Sequence, residues 1–228
     1  MTMRKKLLIT IACLSCILCI LVTGTIAWLI AETTPITNTF APSNIFLTLT
    51  ETPTTFDGKM IPGKTMAKKA TVTVNTDIPC YVFVEITKTN DVDAFIGYAV
   101  NVVKTEGETT TGTWTLLKEE TGKAIYYKEV KQTGSYEFNI LTAGTVKIGT
   151  IDYTWAEDQV LVLPSVTKPM MDALYKDGKH ITDLPTLTFK ASAIQSDHLA
   201  YGDANTEAEQ ALVAWETLKA NPNPPAAG

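Results

Sequence analysis

The chain predicts an all-β fold, an antiparallel jelly-roll-like β-sandwich with short peripheral helices and a C-terminal helix. Three observations carry this. From Ile45 onward, short runs rich in Val, Ile, Tyr and Thr recur, separated by Gly, Pro, Asn or charged pairs. Several of them alternate apolar and polar residues with period two, the mark of a strand buried on one face. Strand-like runs do not alternate with amphipathic helical ones, as a parallel βα architecture would require.

In order, residues 45–51 alternate most regularly. Turns follow at Asp57-Gly58 and Pro62-Gly63. Residues 70–75 and 81–86 read as strands joined through Asp77-Ile78-Pro79. Further strands are expected at 98–103, 113–117, 124–130 and 136–141, with loop tips at 106–112 and at Thr121-Gly122. The continuous apolar run 160–163 ends at Pro164, and 186–194 alternates again as the last strong strand. Two segments break the pattern. Residues 167–175 predict a short helix with Ser165 or Thr167 as cap and Pro169 in its first turn. Thr206 and Glu209 form a capping box, in which the hydroxyl takes one backbone N–H and the carboxylate reaches back to another. Ala208, Ala211, Leu212, Trp215 and Leu218 then recur at helical spacing, so a helix is expected to pack on the sandwich with Trp215 as anchor. Residues 221–228 are too proline-rich to extend it and are expected to be disordered.

The first 27 residues have another character. Arg4-Lys5-Lys6 precede an apolar run, residues 7–22, and small residues follow as far as Ala27. This is the order of a secretory signal. Thr25 and Ala27 suit the −3 and −1 subsites, which places cleavage between Ala27 and Trp28. Residues 7–30 are also long enough to cross a bilayer as an uncleaved helix, although no charge cluster follows to stop transfer. Both readings keep the basic residues inside and put Ala31 onward outside, so an extracellular or cell-surface location is expected. The expected organisation is a signal (1–27), an N-terminal arm (28–44), a sandwich domain with its helix (45–220) and a tail (221–228). Pro35 lacks a backbone donor, so the arm suits an edge strand and not a central one.

Charge and cysteine content narrow the function classes. The chain carries 19 basic and 24 acidic residues; without Arg4, Lys5 and Lys6 the balance is 16 against 24, or −8. With no basic stripe, nucleic-acid binding is not expected. Cys13, Cys16 and Cys19 lie in the apolar run, and their spacing is a ligand pattern on paper only. Cys80 then stands alone, with no internal disulfide open to it, and opens an apolar run where a buried, inert thiol is expected. The two histidines, His180 and His198, form no H-E-x-x-H, and no G-x-S-x-G or phosphate-cradling glycine loop occurs. The pairs Asp91 with Asp93 and Glu157 with Asp158 have the ligand chemistry of a weak Ca²⁺ site, though solvated loops account for them equally. No catalytic, cofactor or metal residues are assigned, and the expectation is a structural or binding protein, not an enzyme.

Thr23-Gly24-Thr25-Ile26-Ala27-Trp28 is similar to the pattern G-G-T-x-A-x-F. Residues 38–45, Asn-Thr-Phe-Ala-Pro-Ser-Asn-Ile, match N-x-F-x-x-G-x-[ILV] with Ser43 or Asn44 in place of the glycine. Pro62-Gly63 before a strand, and the strand 186–195, add to the likeness. On these residues the chain resembles the TasA/camelysin (CalY)-like family of exported proteins with SipW-type signal peptides in Gram-positive bacteria. The resemblance is specific at the N-terminal stretch and is a general β-sandwich likeness over the middle. It implies a jelly-roll sandwich and export through a SipW-type signal peptidase. It also implies a biofilm-matrix fibre, a homopolymer in which one subunit's arm completes the sheet of the next. The arm residues that would do this are Trp28, Leu29, Ile30, Ile36 and Phe40, with the membrane engaged only through the signal segment. Camelysins are classed as metallopeptidases, but no zinc motif is present to carry that activity over. A membrane-tethered or monomeric cell-surface binding module is the alternative.

Overall fold

A computed structural model describes residues 44–53, 60–89, 91–106, 109–176, 179–180, 184–197 and 199–220, all within the unit Ser43–Gly228. The signal, Ala27 and Trp28 at its cleavage point, the arm as far as residue 43, the Asp57-Gly58 turn, His198 and the tail lie outside the described residues.

The strands are β1 (Ile45–Thr52), β2 (Thr65–Ala67), β3 (Lys69–Thr76), β4 (Cys80–Thr89), β5 (Ile96–Gly97), β6 (Lys104–Glu106), β7 (Thr109–Thr111), β8 (Thr115–Glu120), β9 (Lys123–Val130), β10 (Gly134–Asn139), β11 (Gly144–Ile148), β12 (Ile151–Trp155), β13 (Gln159–Val162), β14 (Tyr175–Lys176), β15 (Lys179–His180) and β16 (Thr186–Gln195). Helices cover Val92–Phe95, Lys168–Ala173 and Glu207–Ala220. The fold is an all-β antiparallel sandwich. A three-stranded sheet in the order β1-β3-β10 faces a four-stranded sheet in the order β16-β4-β9-β8.

Side-chain parity builds the core. Every second residue of β3 (Ala70, Val72, Val74) and of β4 (Cys80, Val82, Val84, Ile86) points between the sheets, where Trp114, Ile140, Leu141 and Phe189 join them. The other parity of β4, Tyr81 and Phe83, is buried too. The reason is the Glu207–Ala220 helix, which lays Ala211, Ala214 and Trp215 over the outer face of the four-stranded sheet, against Tyr81, Phe83, Ile125 and Tyr127. The unbroken apolar run at 80–84 is therefore a strand covered on both faces. A satellite cluster of Phe95, Val162 and Val166 packs with Met66 and Met171 around the small sheet β2-β13-β5.

The helical stripe is rotated from the one expected. Leu212 is 41% exposed, while Ala214 is fully buried, because two alanines on the inner face let the helix axis approach the sheet. The capping box forms as expected. Thr206 N and Asn205 N both donate to Glu209 Oε2 at 2.9 Å, and Glu209 N donates to Thr206 Oγ1 at 3.3 Å. Thr167 precedes the Lys168–Ala173 helix, with Pro in its first turn, but makes no side-chain cap bond.

Residues 98–103 differ from the strand expected there. They form only single bridges, Val100 with Leu141 and Val102 with Trp114, because Asn101 ties the segment down locally. Its N–H donates to Ile140 O at 2.8 Å, and its carbonyl accepts from Thr113 N and Trp114 N at 2.9 Å. Conversely, the loop expected at 106–112 takes in the last residue of β6 and all of β7, which pair with each other. The β11–β12 hairpin is an addition to the strands expected from sequence. Its first strand packs so tightly that a Cβ on Gly144 would stand 2.2 Å from Trp155 Cζ2.

Candidate assembly edge

Of the four residues with candidate metal chemistry, Asp93 and Glu157 hold ordinary side-chain hydrogen bonds, while Asp158 Oδ1 is buried with no hydrogen-bond partner among the described residues. Asp93 Oδ2 accepts from Lys88 Nζ at 2.7 Å. Asp91 sits in the left-handed region, φ 56°, at the start of the short Val92–Phe95 helix. Glu157 Oε1 accepts from Asn139 Nδ2 at 3.1 Å, and Asp158 Oδ2 lies 4.0 Å from Lys69 Nζ. Among the described residues no group of three His, Cys, Asp or Glu side chains is placed to hold a metal ion. Cys80 is fully buried. Burial pushes its thiol pKa up, a shift that the Thr76 hydroxyl partly opposes. Among the described residues no helix is long and apolar enough to cross a membrane.

What the fold does present is an unequal pair of sheets. β1 lies against β16 at one side of the sandwich, which closes the two sheets there. At the other side β10 covers β9, and β8 extends one strand further with no described strand of the three-stranded sheet above it. The cross-strand register shows what this leaves open. Leu116 of β8 pairs with Tyr126 of β9, which pairs with Val84 of β4. Since Val84 faces the sandwich interior, Leu116 faces it too, yet it is 47% exposed. A large apolar side chain on the inner face of a sheet, half in water, marks a missing neighbour.

Lining residues come from both sheets. Tyr136 and Phe138 pair with Val74 and Val72, so their rings also point inward. They lie parallel, with centroids 6.0 Å apart and planes 6° from each other. Both are only partly buried. Lys128, opposite Val82, faces the same space. With Val130, Lys131 and Glu207 these residues border a groove of ≈ 490 Å³ along the edge of β10.

Hydrogen-bond parity shows which β10 backbone groups are unpaired there. Ile140 N donates to Ala70 O at 2.8 Å, toward β3. Asn139 O points the other way and accepts from Trp114 Nε1 at 3.0 Å. Alternation along an antiparallel strand then turns the N–H and C=O of Ser135 and Glu137 outward, away from β3. The free edge of β8, by contrast, carries Lys118, Glu119 and Glu120 and is broken by a register shift between Leu116 and Lys118, two devices that deter strand addition. β10 has no lysine, no proline and no bulge.

Neither the assembly-arm residues (Trp28, Leu29, Ile30, Ile36, Phe40) nor the cleavage pair Ala27–Trp28 fall among the described residues. The inward-facing residues at this side, Leu116 and the groove-lining Lys128, Tyr136 and Phe138, were not singled out from sequence. The alternation of Tyr136 and Phe138 was readable as a strand. That their inner face lacks a cover depends on sheet order. No protein-family model matches the chain, and neither does any curated protein or any solved structure.

Proposed function

We propose that the chain is an exported structural protein, a TasA-like subunit of an extracellular fibre or biofilm matrix that assembles by strand addition. The observation that supports this is the three-stranded sheet, one strand short of the sheet it faces, with an unprotected edge at β10. In strand addition the main-chain hydrogen bonds supply affinity and the alternating side chains set the register. The donor is the arm that cleavage after Ala27 would free, with Trp28 at its start. A jelly-roll relationship to the TasA/camelysin-like family, processing by a SipW-type signal peptidase and self-association as a homopolymer belong to the same proposal.

The test is deletion of residues 28–39 behind an intact signal. The secreted product is expected to fold and to remain monomeric, whereas the parent chain forms fibres visible by electron microscopy as concentration is raised. Fibres from the truncated protein would rule out the arm. The long apolar run from Leu7 supports a second reading, a surface module tethered by an uncut helix. Intact mass of the exported chain separates the two. A mature N-terminus at Trp28 supports release, and retention of Met1–Ala27 supports the tether.

A further inference from the structure

We infer that Met60, Met170 and Met171 form a modification site for two-electron oxidants such as hydrogen peroxide, and that their conversion to sulfoxides releases the Lys168–Ala173 helix while the sandwich stays folded.

Sulfur is unevenly distributed in the fold. The described residues hold four methionines, Met60, Met66, Met170 and Met171. All four pack against the satellite cluster of Phe95, Val162 and Val166. Met66 alone also touches the main core, from its place on β2 opposite Val160. The buried residues of the main core, and of the cluster beneath the Glu207–Ala220 helix, include no methionine. Cys80, the other described sulfur, is fully buried. Each methionine is half-buried, so solvent reaches part of a side chain whose remainder packs the cluster. Oxidant chemistry is thereby directed to one end of the molecule.

The Lys168–Ala173 helix depends on these side chains. It has six residues, none of them buried, and a helix so short does not persist alone. Thr167 gives it no side-chain cap bond. Its ion pair, Lys168 Nζ with Asp172 Oδ2 at 2.6 Å, is exposed, and such pairs add little. What holds it is apolar contact of Met170, Met171 and the following Leu174 with the cluster. In the oxidation the sulfur lone pair attacks one peroxide oxygen, and the S–O bond forms as the O–O bond breaks. Sulfur gives up two electrons, and the departing hydroxide takes the proton of the transferred oxygen and leaves as water. A polar, chiral sulfoxide then stands where a flexible apolar chain had packed. Two of the three anchors of the helix are lost, because a sulfoxide oxygen facing Phe95 and Val162 would be buried without a donor.

The experiment treats the full chain with hydrogen peroxide, locates added oxygen by peptide mapping and follows amide hydrogen exchange. One oxygen on each of Met60, Met170 and Met171 is expected in the folded protein. Exchange over residues 167–174 should then quicken by about tenfold or more, while β3 and β4 keep their protection. Methionine sulfoxide reductases should restore the slow exchange. Met170→Leu combined with Met171→Leu keeps the apolar volume and takes no oxygen, so its exchange over the same residues should not respond to peroxide. Oxygen uptake only in denaturant would overturn the site. Uptake at Met170 and Met171 with exchange unchanged would show that the thioethers do not hold the helix. Protection lost in β3 and β4 as well would overturn the local release, and a response in the double leucine variant would overturn the role of these two residues. Reversal by reductase is read on the parent chain, so it decides the matter even if the leucine variant fails to fold.

Discussion

Truncating Trp215 tests how firmly the Glu207–Ala220 helix is seated on the outer face of the four-stranded sheet. Its indole is 5% exposed, and its centroid lies 5.2 Å from that of Phe83 with planes 54° apart. Lys219 Nζ stands 5.8 Å from the ring. Trp215→Ala loses the buried area and the aromatic pair and leaves a cavity between helix and sheet, a cost of about 3–5 kcal/mol. Trp215→Phe is a sharper probe. It keeps a ring against Phe83 and removes an indole N–H that finds no protein partner among the described residues. Relief of that desolvated donor, about 1–3 kcal/mol, offsets the lost benzo ring, so the net change is expected to stay within about 1.5 kcal/mol. Urea unfolding followed by far-ultraviolet circular dichroism measures both. If Trp215→Ala costs under about 1 kcal/mol, the helix is not docked as described. If Trp215→Phe costs as much as Trp215→Ala, the N–H is bonded and the argument for its relief fails.

Four further outcomes are expected. Thr206→Ala removes the hydroxyl that caps Glu209 N and should cost about 1 kcal/mol in thermal or urea unfolding; no change would mean the box contributes nothing. Glu209 is held below its ordinary carboxyl value of 4.5 by the backbone N–H groups of Thr206 and Asn205 and by the Thr206 side chain. A folded value below the unfolded one means the contribution is complete above pH 4.5 and fades as pH falls through the depressed value. Helix dichroism should show that loss, and Glu209→Gln should abolish it. Gly144→Ala forces a Cβ to 2.2 Å from the Trp155 ring and should destabilise by about 1–3 kcal/mol or more; a neutral result would show that the hairpin sits farther from Trp155. The Cys80 thiol, buried and kept protonated by its surroundings, should resist alkylation in the folded chain and react only on unfolding. Rapid labelling at native stability would contradict that burial.

The strands with strict alternation or β-branched runs were legible because their signal is local. β1, β3, β4, β9 and β16 each announce an apolar face or run in their own residues. The capping box was legible for the same reason, since its partners stand three positions apart. Residues 98–103 misled, because the same apolar content that makes a strand served here as packing around Asn101. β11 and β12 carry the same period-two alternation, Val146 and Ile148 against Thr145 and Lys147, and Ile151, Tyr153 and Trp155 against Asp152 and Thr154, so their signal is local too and the hairpin was legible by the rule that found β1.

The sequence alone determined the all-β class, the signal-like N-terminal stretch with its two readings, the lone cysteine of the sandwich domain and the helix start at Thr206. Only the tertiary structure decided that β4 is covered on both faces, that Ala214 and not Leu212 meets the sheet, and that three strands oppose four. Each of these depends on which strand lies beside which, and the residues involved are far apart in the chain: Leu116 and Tyr136 are placed on the inner faces only through their register with Val84 and Val74, elsewhere in the sequence. A free edge is a property of sheet order, and no local pattern records it.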